Sequence, residues 1–249
     1  MLRVFMVPVH RIGFILAAML LVNSFVGSLA IAQQDEAAVL NDRAGVLYRA
    51  GKFADAEPLY KQPLAIREKT LDPDDPNLAT SLNNLAELYR VQGRYADAEP
   101  LYKRALAIYE KVRGPDNPNV ATLLNNLALL YTRRGHYADA EPLYKRSLAI
   151  REKVLGPDHP NVASALNNLA GFYRSQGRDT EPLSKRALAI YEKALGPDNP
   201  DVATALGALA SLYNTQGRYA EAEPLSKRAP AIREKALGPD PMSPKRATT

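Results

Sequence analysis

Between Asn77 and Asn117 the apolar positions fall into two stripes with helical spacing. Leu82, Leu85, Ala86 and Tyr89 stand at i, i+3, i+4 and i+7, which places them on one face of an amphipathic helix. After Gln92-Gly93 a second stripe runs through Ala98, Leu101, Tyr102, Ala105 and Ile108. The connector that follows reads as a stop and a restart. Gly114 suits the left-handed conformation that ends a helix, Pro115 blocks continuation, Asp116 or Asn117 can cap the next helix, and Pro118 fits its first turn. The pattern predicts a pair of helices per stretch.

That stretch recurs. Pro76, Pro118 and Pro160 lie 42 residues apart, Pro200 follows after 40 and Pro241 after 41. Self-similarity of this period marks a stacked array in which no single helix pair can bury its apolar face alone. The expected organisation is a repeat domain over residues 33–240, with repeats at about 36–75, 76–117, 118–159, 160–199 and 200–240, and a disordered tail at 241–249. Function is therefore expected on a repeated surface.

The arrangement of Leu85-Ala86, Tyr89, Gly93, Tyr95, Ala98, Tyr102 and Ala105 resembles the tetratricopeptide repeat, whose usual unit is about 34 residues. The longer period, with the phrases Leu82 to Ala86 and Ala98 to Leu106, is similar to the 42-residue form found in kinesin light chains and many bacterial proteins. The resemblance implies an all-α fold, a right-handed α-solenoid of about five helix-turn-helix repeats. It does not imply motor function: kinesin light chains carry an N-terminal coiled coil, and this chain has an apolar leader there, so microtubule transport is not expected.

The repeats differ in informative ways. In the first, Asp42 and Arg43 replace the Asn-Leu pair and Pro63 stands where Ala105 does, the polar character a terminal repeat needs. The fourth has lost two residues before Glu181; inside a helix that loss would rotate the following residues by about 200°, so it is expected in the turn. Ser184 and Ser226 replace Tyr102, and Pro230 is expected to interrupt the last helix, leaving repeats four and five looser than two and three. Proline at 100 and 142 is expected to bend the second helices near their starts. Glutamates four residues before lysines, as at Glu57 and Lys61 or Glu141 and Lys145, read as local support on an exposed face.

Residues 1–32 read as a cleaved export signal: Arg3 and Arg11 precede an apolar run from Ile12 to Leu29, and Ala30-Ile31-Ala32 fits a small-x-small cleavage site. The alternative is an uncleaved membrane anchor. A periplasmic or secreted protein is expected, with no membrane contact after cleavage. Removing the leader takes net charge from +5 to +3, since it holds two arginines and no acid. So mild an excess does not call for nucleic acid. Cysteine is absent, which excludes disulfides, thiolate zinc sites and cysteine nucleophiles.

The chemistry that recurs is amide chemistry. Asparagine pairs stand on the first helix of three repeats, at Asn83-Asn84, Asn125-Asn126 and Asn167-Asn168. The resemblance implies that first-helix residues line the concave groove and that such asparagines hold the main chain of an extended peptide, a task for which an amide offers both donor and acceptor. The alternative is that one asparagine of each pair bonds an adjacent helix. Arg90, Arg133 and Arg174 follow the tyrosine column and favour an acidic or carboxylate-bearing peptide. Repeat five lacks this equipment, having Gly207-Ala208 and Asn214. His10, His136 and His159 are scattered, no nucleophile or phosphate-loop motif is present, and Asp72, Asp74 and Asp75 lack the glycine and glutamate of a calcium loop. No cofactor, metal or catalysis is expected. The expected role is a scaffold for a protein or peptide partner, the alternative a self-associating or surface-display module.

Overall fold

A side-chain cap followed by proline starts every first helix from the second repeat on. Asp75, Asn117 and Asn199 accept the backbone N–H two residues ahead through Oδ1, at 2.7, 2.9 and 2.8 Å. His159 does the same through Nδ1 at 3.1 Å, so a turn histidine serves as a helix cap. At the far end Gly156, with φ of 85°, closes the second helix of repeat three as no β-carbon-bearing residue would.

The computed structural model describes residues 31–237. The expected export signal, apart from its last two residues, and the expected disordered tail lie outside them. Ten helices are described and no strand: α1 (31–49), α2 (Phe53–Thr70), α3 (Pro76–Val91), α4 (Tyr95–Arg113), α5 (Pro118–Arg133), α6 (Tyr137–Leu155), α7 (Pro160–Arg174), α8 (Glu181–Leu195), α9 (Pro200–Thr215) and α10 (Tyr219–Leu237). Consecutive pairs make five repeats. Among the described residues, those up to Ile108 form one compact body and those from Tyr109 a second.

Within each body the predicted stripes are the core. Leu82, Leu124, Leu166 and Leu206, one in each of repeats two to five, have 0% exposure, and each contributes roughly 1.5–3 kcal/mol by burial. Ala86, Ala128, Ala170 and Ala210 are buried beside Tyr89, Tyr131, Tyr173 and Tyr213. Ser147, in the column of Ala105, is buried without cost because its hydroxyl donates to the Ala121 carbonyl at 2.6 Å. Pro63 is buried within α2.

The two-residue loss in repeat four does sit in the turn. Residues 178–180 are not helical, and α8 starts at Glu181 with 15 residues where α6 and α10 have 19. Pro230 does not interrupt the last helix: α10 runs through it, as α4 runs through Pro100 and α6 through Pro142. One missing N–H per proline leaves the flanking hydrogen bonds to carry the helix. Ser184 is buried, whereas Ser226 is exposed on an open cleft of about 550 Å³ between α9 and α10.

Neighbouring repeats are stapled by charge. All five Glu-Lys pairs form within their helices, at 2.6 to 2.8 Å. Local support is only half of their work. Glu57, Glu141 and Glu181 also take the tyrosine hydroxyl and the turn arginine of the next repeat: Tyr173 donates to Glu141 at 2.9 Å and Arg178 pairs with it at 3.0 Å. The arginines lie over the same tyrosine rings, Arg94 on Tyr89, Arg178 on Tyr173 and Arg218 on Tyr213, 3.7 to 4.2 Å from the centroids. Lys145 and Tyr173 hold the Glu141 carboxyl at about 2, and Arg218 and Lys185 hold Glu181 at about 2. Further pairs link second helices, as Arg186 to Glu152 at 2.6 Å, and Lys153 and Lys193 reach back to Asp116 and Asp158.

Candidate functional site

The asparagine pairs make a ladder between repeats. Asn84 Nδ2 donates to Asn41 Oδ1 at 2.8 Å in the first body, and Asn168 Nδ2 donates to Asn125 Oδ1 at 2.8 Å in the second. Asn83 Nδ2 lies 3.4 Å from Asn84 Oδ1. The second asparagine of one repeat thus donates to the first asparagine of the repeat before it. This is the helix-bonding role that the sequence left open as the alternative. It uses one donor of Asn168 and one acceptor site of Asn125, and Asn168 remains exposed, with further amide valence for a ligand.

Arg90 is committed inside the protein. Glu87, one turn before it, receives its guanidinium at 2.5 and 2.8 Å, the Tyr102 hydroxyl at 2.6 Å and the Tyr48 hydroxyl at 3.0 Å. The Arg90 side chain is 14% exposed. Burial pushes the Glu87 carboxyl up, but the three donors outweigh it and hold it below the usual range. Burial, with the charge of Glu87, pushes the Tyr48 hydroxyl up to about 12.

The second body is built differently at the same register. Glu87 is matched by Leu129 in α5 and by Gly171 in α7. A β-carbon on Gly171 would meet nothing within 4 Å. The space belongs to a cleft of about 440 Å³ bounded by the end of α5, the start of α6 and one face of α7. Tyr144 and Tyr137 form an aromatic wall with Phe172, at ring separations of 5.2 and 6.1 Å. Asn167, Asn168 and Arg133 line the rim. Neither Arg133 nor Arg174 makes an ion pair among the described residues, and both are exposed.

Of the residues predicted from sequence, Arg133, Asn167 and Asn168 share this cleft, and Asn125 holds Asn168 from behind. Arg174 stands exposed one residue before its lining residue Ser175. Asn126 is half-buried on α5 and does not line it. Asn83, Asn84 and Arg90 belong to the first body. Sequence reasoning missed Gly171 and Phe172, and the signal was present: they replace glutamate or leucine in one column and leucine in the next. It also missed the buried guanidinium of Arg67, which donates to Ser81 Oγ at 2.6 Å, and its register partner Arg151, which donates to the Asn161 carbonyl at 3.1 Å. Among the described residues no group of three His, Asp or Glu side chains has metal-binding geometry, and no helix is long and apolar enough to cross a membrane.

The tetratricopeptide repeat family model matches residues 35–111, 78–153, 119–181 and 162–235. No curated protein sequence matches the chain. The crystal structure of BtubC (BKLC) from P. vanneervenii is 28% identical, with a TM-score of 0.67 over 89% of this chain and 94% of that one. A putative kinesin light chain from Podospora anserina with nearly identical TPR-like repeats is 26% identical, with a TM-score of 0.67 over 82% of this chain and 97% of that one. A Rap protein complexed with competence and sporulation factor shares the fold, at 21% identity and a TM-score of 0.69, over 79% of this chain and 54% of that one. Five helix pairs at this period, matched end to end by the family model, make this chain a member of the tetratricopeptide repeat family in its kinesin-light-chain-like form.

Proposed function

We propose that this chain is a non-catalytic adaptor that holds an extended, acidic segment of a partner protein against α5 and α7 of the second body. Tetratricopeptide repeats generally mediate protein–protein interaction, and the structure of the Rap protein with its factor pairs the same fold with a bound ligand. The observation that carries the reading is the contrast between repeats: Arg90 is paired with Glu87, while Arg133, lining an open cleft with an exposed amide, and Arg174, one residue before the lining residue Ser175, make no ion pair among the described residues. A carboxylate would find a guanidinium there, a main chain would find Asn168, and an apolar side chain would rest on Phe172 and Tyr144. Export through residues 1–32 belongs to the same proposal.

Extended peptides selected from a display library on the purified chain supply a defined ligand, measured by fluorescence anisotropy. Arg133→Glu with Arg174→Glu is expected to weaken its binding by roughly tenfold or more with an unchanged melting temperature. Selected peptides without acidic residues, or unchanged binding, would refute the charge assignment. N-terminal sequencing of the chain from its native cells is expected to begin at Gln33; an intact Met1 would replace cleavage by anchoring.

A further inference from the structure

The joint between repeats three and four rests on a small set of register positions. Tyr137 at the start of α6 meets Phe172 of α7 edge-on at 6.1 Å. Glu141 of α6 pairs with Arg178 at 3.0 Å, and Glu152 pairs with Arg186 of α8 at 2.6 Å. Each position has a counterpart at the last and first described repeats, where no neighbouring repeat is described to complete it. In repeat five Tyr219 stands in the register of Tyr137 and is 69% exposed. Glu223 stands in that of Glu141, its side chain 64% exposed against 27% for Glu141, and the exposed Glu234 stands in that of Glu152. In repeat one Val46 holds the register of Phe172 and is 57% exposed, as is Val39. Lys52 holds that of Arg178 and Gln62 that of Arg186, both exposed and neither in an ion pair among the described residues.

The two sets are complementary in kind: an aromatic faces an aliphatic, a carboxylate faces an ammonium, and a second carboxylate faces an amide donor. The geometry points to head-to-tail association of two copies of this chain, in which α10 of one copy packs against α1 and α2 of the next as α6 packs against α7 and α8. Tyr219 then covers Val46, Glu223 meets Lys52 and Glu234 meets Gln62. The open cleft beside Ser226 lies between α9 and α10 and leaves room for the incoming helix. Such a contact is heterologous, so each added copy presents a fresh end to the next. This inference is independent of the peptide site, whose residues it does not use.

The test is sedimentation of the full-length chain across a concentration series, with two charge reversals at exposed positions. The wild type is expected to rise in mass with concentration and to pass beyond the dimer. Lys52→Glu alone sets two carboxylates against each other at every joint, and Glu223→Lys alone sets two ammonium groups there, so each is expected to weaken association roughly tenfold or more. The double variant Lys52→Glu with Glu223→Lys places an opposite pair, reversed, at every joint and is expected to recover the wild-type series, as is an equimolar mixture of the two single variants, whose alternating joints carry the native and the reversed pair. Because the chain has no cysteine, a Val46→Cys, Tyr219→Cys double variant is expected to give a ladder of disulfide-linked oligomers on oxidation, and either single variant no further than a dimer. A chain that stays monomeric overturns the inference. So does a mass that saturates at the dimer, association that survives both reversals, or a double reversal that fails to recover.

Discussion

Glu87→Ala tests the charge cluster that distinguishes repeat two. The substitution removes the acceptor of the Tyr102 hydroxyl, whose residue has 0% exposure, and both contacts of Arg90, at 2.5 and 2.8 Å. It leaves a guanidinium and two phenols, those of Tyr102 and Tyr48, without the carboxylate that accepts from them. Breaking a largely buried, hydrogen-bonded pair from one side costs about 1–3 kcal/mol, because the remaining charge keeps part of its desolvation penalty. Glu87→Ala with Arg90→Met removes that stranded charge and is expected to cost less than Glu87→Ala alone. The pH dependence has a definite sign. The folded Glu87 carboxyl lies below its unfolded value, so its stabilisation is complete above about pH 4.3 and is lost as pH falls through the folded value; Glu87→Gln is expected to flatten that acid limb. Urea unfolding followed by tyrosine fluorescence measures the loss, and hydrogen exchange is expected to localise it to α3 and α4. A cost below about 0.5 kcal/mol, or a double variant less stable than the single, would refute the assignment of a buried pair.

Gly171→Ala is expected to raise stability by roughly 0.5–1 kcal/mol, since the helix gains a better former and the new methyl meets open space; calorimetry showing a loss would mean the cleft is filled. Asn125→Ala and Asn168→Ala are each expected to destabilise by about 0.5–1.5 kcal/mol, and the double variant by less than their sum, because the two share one hydrogen bond. Strict additivity would break the ladder reading. The Glu141 and Glu181 staples, held at about 2 in the folded chain, are expected to stabilise the second body fully above about pH 4.3 and to fail as pH falls toward about 2. Glu141→Gln with Glu181→Gln is expected to shift that acid transition upward in a circular-dichroism titration, and an unchanged transition would remove the staples from the account.

The helices, their order and their buried faces follow from local rules that a sequence carries openly. A 3.6-residue stripe through Leu82 and Leu85, a cap at Asn117 and a proline behind it are each decided within a few residues, and repetition multiplies the signal. The turn location of the deletion before Glu181 was legible for the same reason, since a helix cannot absorb two residues without rotating its stripe. The persistence of α10 through Pro230 was not, because the outcome depends on the packing around the proline and not on the proline alone.

Sequence alone determined that this chain is a run of helix pairs with amides and arginines recurring on the first helices. Tertiary structure decided what those side chains are free to do. Arg90 and Arg174 stand in one column, yet Glu87 neutralises the first and Gly171 leaves the second unpaired. Glu141 looks like half of a local pair and becomes a junction between repeats. For Glu141 the residues that supply the difference stand 32 and 37 positions away along the chain. Charges and amides act on whatever lies within a few ångströms, and only the folded stack brings those partners there.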